Sequence, residues 1–248
     1  MIPVKTKSEQ DRMRKAGRLT GDALKMIEAY IKPGVTTLEL DRRIEEFFAA
    51  NGASPSFKNL YGFPNAACIS VNEVVVHGIP SEYALKEGDI VSIDVGALIG
   101  GFHGDAARTF AVGQIDAALQ RLIDVARESF FKGIGEAREG RRLGDISNAI
   151  QTHAESNGYG VVRALTGHGI GRKVHEDPSI PNFGPPSSGP VLKAGYCLAI
   201  EPMINLGTFR VSFDQADGWT CRTADGKPSA HYENTVLITT GEPEILTL

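Results

Sequence analysis

The chain has 248 residues, of which 42% are hydrophobic and 23% charged, a balance typical of folded globular proteins rather than disordered chains. It has 26 Lys and Arg and 30 Asp and Glu, which gives a net charge of −4. Because the chain is slightly acidic, its composition predicts no binding to nucleic acid or to an anionic membrane. No signal-peptide pattern and no apolar run of about 18 residues is present, and three widely spaced cysteines fit neither a disulfide framework nor a zinc knuckle. We therefore expect a reduced, cytoplasmic protein.

The first half of the chain predicts two helices followed by short strands. Apolar residues recur at helical spacing from Met13 to Ile31, and Lys32-Pro33-Gly34 ends this helix. A second helix is expected over Thr37–Ala50, with a hydroxyl cap at its start and Asn51-Gly52 at its end. β-Branched residues and turn residues predict strands at Ala67–Val71, Glu73–Val76, Asp89–Ala97 and Arg108–Val112.

The second half predicts the same order of elements. The expected helices are Ala118–Ala137 and Gly144–Asn157, and the expected strands are Gly160–Leu165, Tyr196–Asn205, Gly207–Phe213 and His231–Thr239. The segment Asn182–Gly189 is expected to be an ordered surface loop, at the mouth of a cleft.

Residue identities repeat between the two halves. Gly34, Ile44 and Gly52 recur 106 positions later as Gly140, Ile150 and Gly158, and the pattern Val-His-x-x-Pro occurs at 76–80 and again at 174–178. Such repetition predicts a duplicated helix-helix-strand unit. We expect one domain, 1–248, made of pseudo-repeats of about 1–113 and 114–248 with a cleft between them.

Two carboxylates lie in a predicted hairpin that is otherwise largely apolar. If Leu98–Gly101 is a four-residue loop, Asp94 lies directly opposite Asp105 and both side chains face the same side. Like charges in this arrangement destabilise a sheet and are costly to bury, unless a cation or a proton lies between them. From the hairpin alone, a bound metal ion and a solvated acidic face explain the pair equally well.

The second half adds three residues that favour the metal. Glu201 in YCLAIEPMI and Glu233 in HYENTVLI are acids within apolar strands, and His168 lies between glycines in TGHGIG. Four carboxylates and one imidazole are typical of a site for hard or borderline cations, and four acids suit a bridged pair of ions better than one small ion. The sequence therefore predicts a dinuclear metal site.

The remaining histidines divide into two groups. His77 and His175 occur in the repeated Val-His-x-x-Pro pattern, and their duplication beside the predicted metal strands favours a role in the site over an ordinary buried position. His103 faces the same side as Asp105 but is not expected to be a ligand. His153 and His231 are expected to be structural or exposed.

Five segments carry a resemblance to a known enzyme family. In chain order they are AACISVNEVVVHGIP (66–80), SIDVGALIGGFHGDAARTF (92–110), TGHGIGRKVHEDPSIPNFG (166–184), AIEPMI (199–204) and HYENTV (231–236). Together they closely resemble the type I methionine aminopeptidases of metallopeptidase family M24, and the likeness runs from about Val4 to the C-terminus. It implies the α/β (α+β) pita-bread fold, in which two pseudo-twofold-related halves of helices and β-sheet surround a central metal cleft.

The resemblance also implies a set of site residues. The family's metal ligands match Asp94, Asp105, His168, Glu201 and Glu233, which would hold two divalent ions with Asp105 and Glu233 as bridges. The family's two further active-site histidines match His77 and His175. Its pocket for the first substrate residue maps to Phe57, Leu60, Phe63, Cys68, Val174 and Trp219. The ligand types leave the metal open among Co, Mn, Fe and Zn.

Three features depart from the family pattern. Phe63 lies where Tyr is frequent, Gly96 lies where Thr is frequent, and Leu206–Ala216 does not match the expected sequence. None of them is a predicted metal ligand, but the loop that leads to Trp219 is left without a predicted geometry.

The activity implied by the resemblance is removal of the initiator methionine from nascent proteins and peptides whose second residue is small. Metal-activated water would attack, with Glu201 as general base and then acid and with His77 and His175 contacting the scissile peptide. The expected partner is the N-terminal methionine of nascent chains, with transient ribosome contact, a monomeric state, and no nucleic-acid or membrane binding. An Xaa-Pro peptidase or creatinase-like hydrolase on the same fold, and a non-catalytic relative, remain as alternatives.

Overall fold

The computed structural model describes residues 1–248 as four α-helices, one short 3-10 helix (Leu60–Gly62) and fifteen short strands. The helices are α1 (Lys7–Glu28), α2 (Thr37–Ala50), α3 (Ala117–Ile134) and α4 (Leu143–Ser156). The strands are β1 (Ser54–Pro55), β2 (Ala67–Val71), β3 (Val74–Val76), β4 (Ile90–Ile99), β5 (Phe102–Ala111), β6 (Gly160–Val161), β7 (Thr166–Gly169), β8 (Glu176–Pro181), β9 (Cys197–Ile200), β10 (Met203–Asn205), β11 (Val211–Phe213), β12 (Cys221–Thr223), β13 (Ser229–His231), β14 (Asn234–Leu237) and β15 (Glu244–Ile245). None of the helices is both long enough and apolar enough to cross a membrane.

Helix α1 begins at Lys7 rather than at the predicted Met13. Its first turn is polar, so apolar periodicity could not detect it, and a capping box fixes the start instead. The Glu9 backbone N–H donates to Thr6 Oγ1 at 3.3 Å, and the Thr6 backbone N–H donates to Glu9 Oε2 at 2.9 Å. Helix α2 has the predicted bounds, and its cap is the hydroxyl of Thr36.

The offset of 106 positions recurs in the structure. Helix α4 begins and ends 106 residues after α2, and β6 begins and ends 106 residues after β1. Gly34 and Gly140, which precede these helices, have nearly equal φ angles of 90° and 86°. Thr36 and Arg142, the residues directly before α2 and α4, each form an isolated antiparallel β-bridge. The repeat seen in the sequence therefore corresponds to a repeated local geometry.

The four helices pack on the outer faces of three of the four small sheets. In the first half, α1 and α2 bury apolar residues such as Leu24 and Ile44 against the sheet of β1, β4, β2 and β5. In the second half, α3 and α4 bury residues such as Phe130 and Ile146 against the sheet of β15, β14, β9, β7 and β8 and that of β13, β10 and β6. The fourth sheet consists of β11, β12 and β3, and Trp219 lies in the connection between β11 and β12.

The predicted register of the β4–β5 hairpin is wrong. Only Gly100 and Gly101 form the turn, both with positive φ (60° and 78°), because glycine adopts this conformation at no steric cost and permits a two-residue loop. Asp105 consequently pairs with Gly96, and Asp94 pairs with Ala107. Since side chains alternate with a period of two, the two carboxylates still face the same side, as diagonal neighbours.

The long strands predicted around Glu201 and Glu233 are each broken in two. Strand β9 ends before Glu201 and β10 begins after Pro202, while β13 ends and β14 begins on either side of Glu233. At each break the chain passes between the sheet that contains β9 and β14 and the sheet that contains β10 and β13. Pro202 cannot donate a ladder hydrogen bond, which favours the first break. The two glutamates therefore lie at corners between sheets.

Other predicted segments also differ from the structure, among them the strand predicted at Arg108–Val112, which begins at Phe102 as β5. The strands predicted at 160–165 and 207–213 shorten to β6 and β11. The loop 182–189 packs on the start of α4, since Gly144 N donates to Ser188 O and Ser187 N donates to Asp145 Oδ1. Its first residue, Asn182, donates to the Glu201 carbonyl oxygen at 2.9 Å.

The two halves are joined along β5 by a line of hydrogen bonds that we call the seam. Its three residue pairs, in order along β5, are Asp105–Thr235, Ala107–Glu233 and Thr109–His231. In the first and third pairs a threonine hydroxyl both accepts from the partner's backbone N–H and donates to its carbonyl, at 2.8–3.0 Å. The middle pair exchanges two backbone hydrogen bonds of 3.0 and 3.4 Å. Both predicted bridging carboxylates belong to the seam.

The C-terminal segment hydrogen-bonds to Asn234 and to the seam residue Thr235, and it packs against α1. Thr247 Oγ1 donates to Asn234 Oδ1 at 2.9 Å and accepts from Thr235 N at 3.2 Å. The segment passes so close to α1 that a Cβ at Gly21 would lie 2.6 Å from the Thr247 carbonyl oxygen. Glycine is therefore required at this position by the close approach of the two backbones.

We predict that Gly21→Ala lowers the free energy of unfolding by about 1–3 kcal/mol, because its Cβ must push the C-terminal backbone away. Gly135→Ala is the matched control: its backbone is right-handed, and its Cβ would meet nothing closer than 3.4 Å. That control should be neutral or slightly stabilising. Urea denaturation of the metal-stripped proteins measures both, and equal stability of the two variants would contradict the proposed close contact.

Candidate metal centre

One cavity, with a volume of about 210 Å³, collects the predicted site residues. Its lining consists of Phe57, Leu60, Tyr61, Phe63, Cys68, His77, Asp94, Asp105, His168, His175, Glu201, Trp219 and Glu233. Every predicted ligand and both predicted active-site histidines are among them. Of the predicted pocket residues only Val174 does not line the cavity: it is buried behind the wall, against Phe57, Phe63 and Cys68.

The possible ligands come from both halves of the chain. Asp94 and Asp105 project from β4 and β5, whereas His168 lies on β7 and the two glutamates lie at the strand breaks. His168 Nε2 is 3.7 Å from Asp105 Oδ2 and 3.6 Å from Glu201 Oε1. The cluster therefore forms only where the two halves meet, across the seam.

The glycines around His168 are required by packing. A Cβ at Gly167 would lie 2.4 Å from the Ala199 carbonyl oxygen, and Gly169 is equally constrained by the backbone of Asp177. They allow β7 to lie between β9 and β8. His168 Nδ1 lies 2.9 Å from the Gly169 carbonyl oxygen, to which it can donate, and this contact directs Nε2 toward the carboxylates.

The carboxylates of the cluster are buried without compensating partners. Asp105 and Glu233 are only 3% and 2% exposed, and an oxygen of each, as well as Asp94 Oδ1, has no hydrogen-bond partner. Burial raises the pKa of Asp94 to about 7. Burial and the neighbouring acids raise the pKa values of Asp105, Glu201 and Glu233 well above their usual range. Charged acids in this position require a cation.

The imidazoles around the carboxylates are neutral at pH 7. Burial, together with the neighbouring His175, lowers the pKa of both His168 and His77 to about 4. No Lys or Arg side chain lines the cavity, so the protein itself supplies no cation there. A neutral imidazole offers a lone pair to a metal ion, and carboxylate oxygens with imidazole nitrogens form a donor set for divalent cations.

The donor atoms form two groups that share Glu233. One contains Asp94, His231 and Glu233, the other contains Asp105, His168 and Glu233, and within each group the donor atoms lie within 4.8 Å of one another. The unsatisfied buried oxygens, the neutral imidazoles and the shared glutamate together fit two divalent metal ions better than one.

His231 is the residue that sequence reasoning missed. It is 2% exposed, and its Nε2 lies 3.8 Å from Glu201 Oε2 and 4.0 Å from Glu233 Oε2. Its position two residues before Glu233 was the available signal, because strand residues two apart face the same side. By contrast, His153 is structural as expected, since it is half-buried and bonded to Glu128 of α3, and His103 bonds Ser56 and does not line the cavity.

The apolar end of the cavity also holds a residue that the sequence did not indicate. Tyr61 stacks on His175 with ring centroids 5.7 Å apart, and Trp219 meets Phe63 edge-on at 5.2 Å. Tyr61 and His77 both have positive φ angles, 51° and 59°, which non-glycine residues adopt at a cost and which are concentrated at functional sites.

The departure at Gly96 has a packing explanation. A Cβ there would lie 2.8 Å from the Ser56 Cβ, and the Ser56 hydroxyl bonds His103 Nδ1 at 2.9 Å. The Ser56 side chain thus occupies the space that a larger residue at 96 would need.

Comparison with known proteins agrees with this site. The model of metallopeptidase family M24 matches residues 11–240. A methionine aminopeptidase of Clostridium perfringens is 59% identical over 248 residues, which are 100% of this chain and 99% of the relative. The crystal structure of methionine aminopeptidase from Rickettsia prowazekii has 43% identity and a TM-score of 0.99, with 100% of both chains covered. A prolidase from Pyrococcus furiosus has 25% identity and a TM-score of 0.81, over 99% of this chain and 65% of the prolidase.

The chain belongs to metallopeptidase family M24 and, within it, to the methionine aminopeptidases. The predicted α/β pita-bread fold is confirmed, since the same architecture is present in the methionine aminopeptidase and prolidase structures. The predicted divalent-metal cofactor is likewise supported by the family and by the carboxylate and histidine groups, while the choice of metal stays open.

We predict that metal binding releases protons and weakens as the pH falls from about 7.5 to 6. Because burial holds the pKa of Asp94 at about 7 in the metal-free protein, its proton must leave before the carboxylate can coordinate an ion. Calorimetric titration of the stripped protein with Mn²⁺ at pH 6.5, in two buffers with different protonation heats, should give buffer-dependent enthalpies. Equal enthalpies in both buffers would show that the carboxylates are already ionised.

Proposed function

We propose that this chain removes N-terminal methionine from proteins and peptides whose second residue is small. The observation that carries the proposal is the cluster of buried carboxylates and neutral imidazoles at the end of an apolar pocket. We further propose that residues 1–248 form one catalytic domain of two pseudo-repeats, about 1–113 and 114–248. It would act in the cytoplasm as a monomer on nascent chains, in transient contact with the ribosome.

The proposed metal ligands are Asp94, Asp105, His168, Glu201 and Glu233, with Asp105 and Glu233 shared between two divalent ions. The two donor groups support Asp94, Asp105, His168 and Glu233, and only Glu233 is common to both groups. The position of Glu201, with Oε1 3.6 Å from His168 Nε2, supports its inclusion. When bound, the ions supply Lewis acidity, which polarises a carbonyl group and lowers the pKa of water to near neutrality.

A second cavity indicates where the scissile bond would lie. It has a volume of about 500 Å³, and it shares His77, His168, His175 and Glu201 with the apolar pocket. A methionine side chain in the pocket and a polypeptide continuing through the second cavity would meet at these four shared residues. The scissile peptide is therefore expected between the two histidines and the metal ligands.

Glu201 is the only carboxylate of the cluster that lines both cavities. It can thus reach the attacking water on one side and the leaving amide nitrogen on the other. Its proposed role is to accept the proton of the water and then to give it to the leaving amine.

His77 and His175 are proposed to hold the reacting peptide. As neutral imidazoles, each can donate one N–H without adding charge to the cavity. His175 would donate to the carbonyl oxygen as negative charge develops on it, and its ring is kept in place by Tyr61 and by His168 at 4.5 Å. His77 would contact the amide nitrogen that leaves.

The pocket itself favours an unbranched apolar side chain. Its wall is mainly aromatic, and Leu60 and Cys68 supply further apolar surface. A thioether packs favourably against aromatic rings, so methionine fits this composition better than a charged or β-branched residue.

The activity is tested by incubating the metal-loaded protein with Met-Ala-Ser and with Gly-Pro-Ala. We expect release of methionine from the first peptide and no cleavage of the second. Cleavage of Gly-Pro-Ala alone would favour the Xaa-Pro specificity of the more distant prolidase relatives, and cleavage of neither by protein that binds two ions would contradict the proposal.

We predict that Glu201→Gln lowers kcat by about 10²–10⁴-fold, because the amide keeps an oxygen near the ions but cannot accept a proton. Metal content should fall much less. Steady-state kinetics with Met-Ala-Ser and elemental analysis of the dialysed variant separate the two effects. Near-normal turnover would remove Glu201 from proton transfer.

We also predict that the chain does not cleave its own N-terminal sequence, which begins Met1-Ile2. The second residue lies beside His77 and His175, where a large β-branched side chain would displace the carbonyl, and a displacement of about 1 Å costs on the order of 10²-fold in rate. The peptide Met-Ile-Pro-Val should be cleaved at least that much more slowly than Met-Ala-Pro-Val. Similar rates for the two peptides would rule out selection for small second residues.

A further inference from the structure

His231 is a buried polar residue for which the family ligand set provides no role. Both of its ring nitrogens are buried, and neither has a hydrogen-bond partner. Leaving such groups unpaired costs about 1–3 kcal/mol, so a ligand at this position is the natural complement. The ring is held near the carboxylates, because its backbone pairs with Thr109 on the seam and with Met203 of β10.

The distances around His231 are those of shared coordination rather than of hydrogen bonding. Its Nε2 lies 3.8 and 4.0 Å from oxygens of Glu201 and Glu233, beyond the range of a hydrogen bond. Two atoms that each bind one cation at about 2.0–2.2 Å lie roughly 3–4 Å apart. His168 stands at 3.7 and 3.6 Å from its own carboxylate neighbours, so both imidazoles face the acids in the same way.

The two donor groups place each histidine with a different aspartate and with the shared Glu233. His168 groups with Asp105 and Glu233, and His231 groups with Asp94 and Glu233. In the set of five ligands, the ion near Asp94 would have carboxylate oxygens as its only protein donors. The position of His231 adds a nitrogen on that side.

We propose that His231 is a sixth protein ligand of the metal centre, with its Nε2 bound to the ion that Asp94 and Glu233 hold. The inference rests on the proposed dinuclear site and refines it. An imidazole on each ion shifts the preference of the centre toward Co²⁺, Fe²⁺ and Zn²⁺, because nitrogen donors suit these ions better than they suit Mn²⁺.

The test compares His231→Gln with His153→Gln, a control that removes an imidazole from the contact between α4 and Glu128 of α3. Metal-stripped proteins are titrated with Co²⁺ and with Mn²⁺ by calorimetry, and the visible absorption of the Co²⁺ forms is recorded. We expect His231→Gln to weaken the binding of one Co²⁺ ion by at least about 10–100-fold, to change its absorption bands, and to affect Mn²⁺ much less. The control should match the unmodified protein.

Unchanged Co²⁺ affinity and absorption in His231→Gln would overturn the proposal, even if turnover fell, because that result assigns the ring to positioning rather than to coordination. X-ray absorption of the unmodified protein loaded with two Zn²⁺ provides a measurement that does not depend on a folded variant. One imidazole per zinc on average supports the sixth ligand, and half that number overturns it. If the unmodified protein bound no second ion, the dinuclear site itself would fail, which is a different outcome.

Discussion

The concentration of buried negative charge at the junction of the two halves constrains much of this structure. Asp105 and Glu233 lie on neighbouring pairs of the seam, with unpaired oxygens and with pKa values raised by burial and by repulsion from the neighbouring acids. Such a junction is unfavourable in the absence of cations, so metal ions would contribute directly to holding the halves together. The threonine hydroxyls of the seam satisfy the backbone there while leaving the carboxylates free to coordinate.

The surrounding fold explains how the charge is kept in place. The two helices of each half cover the outer faces of the sheets, and the C-terminal segment ties α1 to Asn234 and Thr235 beside Glu233. Arg108 adds to this support, because its guanidinium donates to the Glu233 carbonyl oxygen and to Asn234 Oδ1 and stacks on Tyr232. The guanidinium of Arg108 therefore hydrogen-bonds to the backbone of Glu233 rather than to its carboxylate, and its charge offsets only part of the rise in the pKa of Glu233.

The division of the site into two cavities connects the architecture to specificity. The apolar pocket and the cavity beyond it meet at His77, His168, His175 and Glu201. Because the histidines there are neutral, they can direct a peptide by hydrogen bonds without repelling divalent ions. The left-handed backbone at His77 is a local cost that a rigid surrounding structure can sustain.

The sequence by itself determined the helix pairs, the duplicated offset of 106 residues and the acids of the site, because periodicity, turn residues and acids in apolar segments are local signals. The apolar residues of the pocket followed only from the resemblance to the family. The sequence did not determine the hairpin register, since two consecutive glycines permit a shorter loop than the one assumed. Only the tertiary structure decided that the strands at Glu201 and Glu233 break between sheets, that Ser56 excludes a larger residue at Gly96, and that His231 and Tyr61 belong to the site. These features depend on contacts between residues far apart in the chain, and no local pattern encodes the distance between two such side chains.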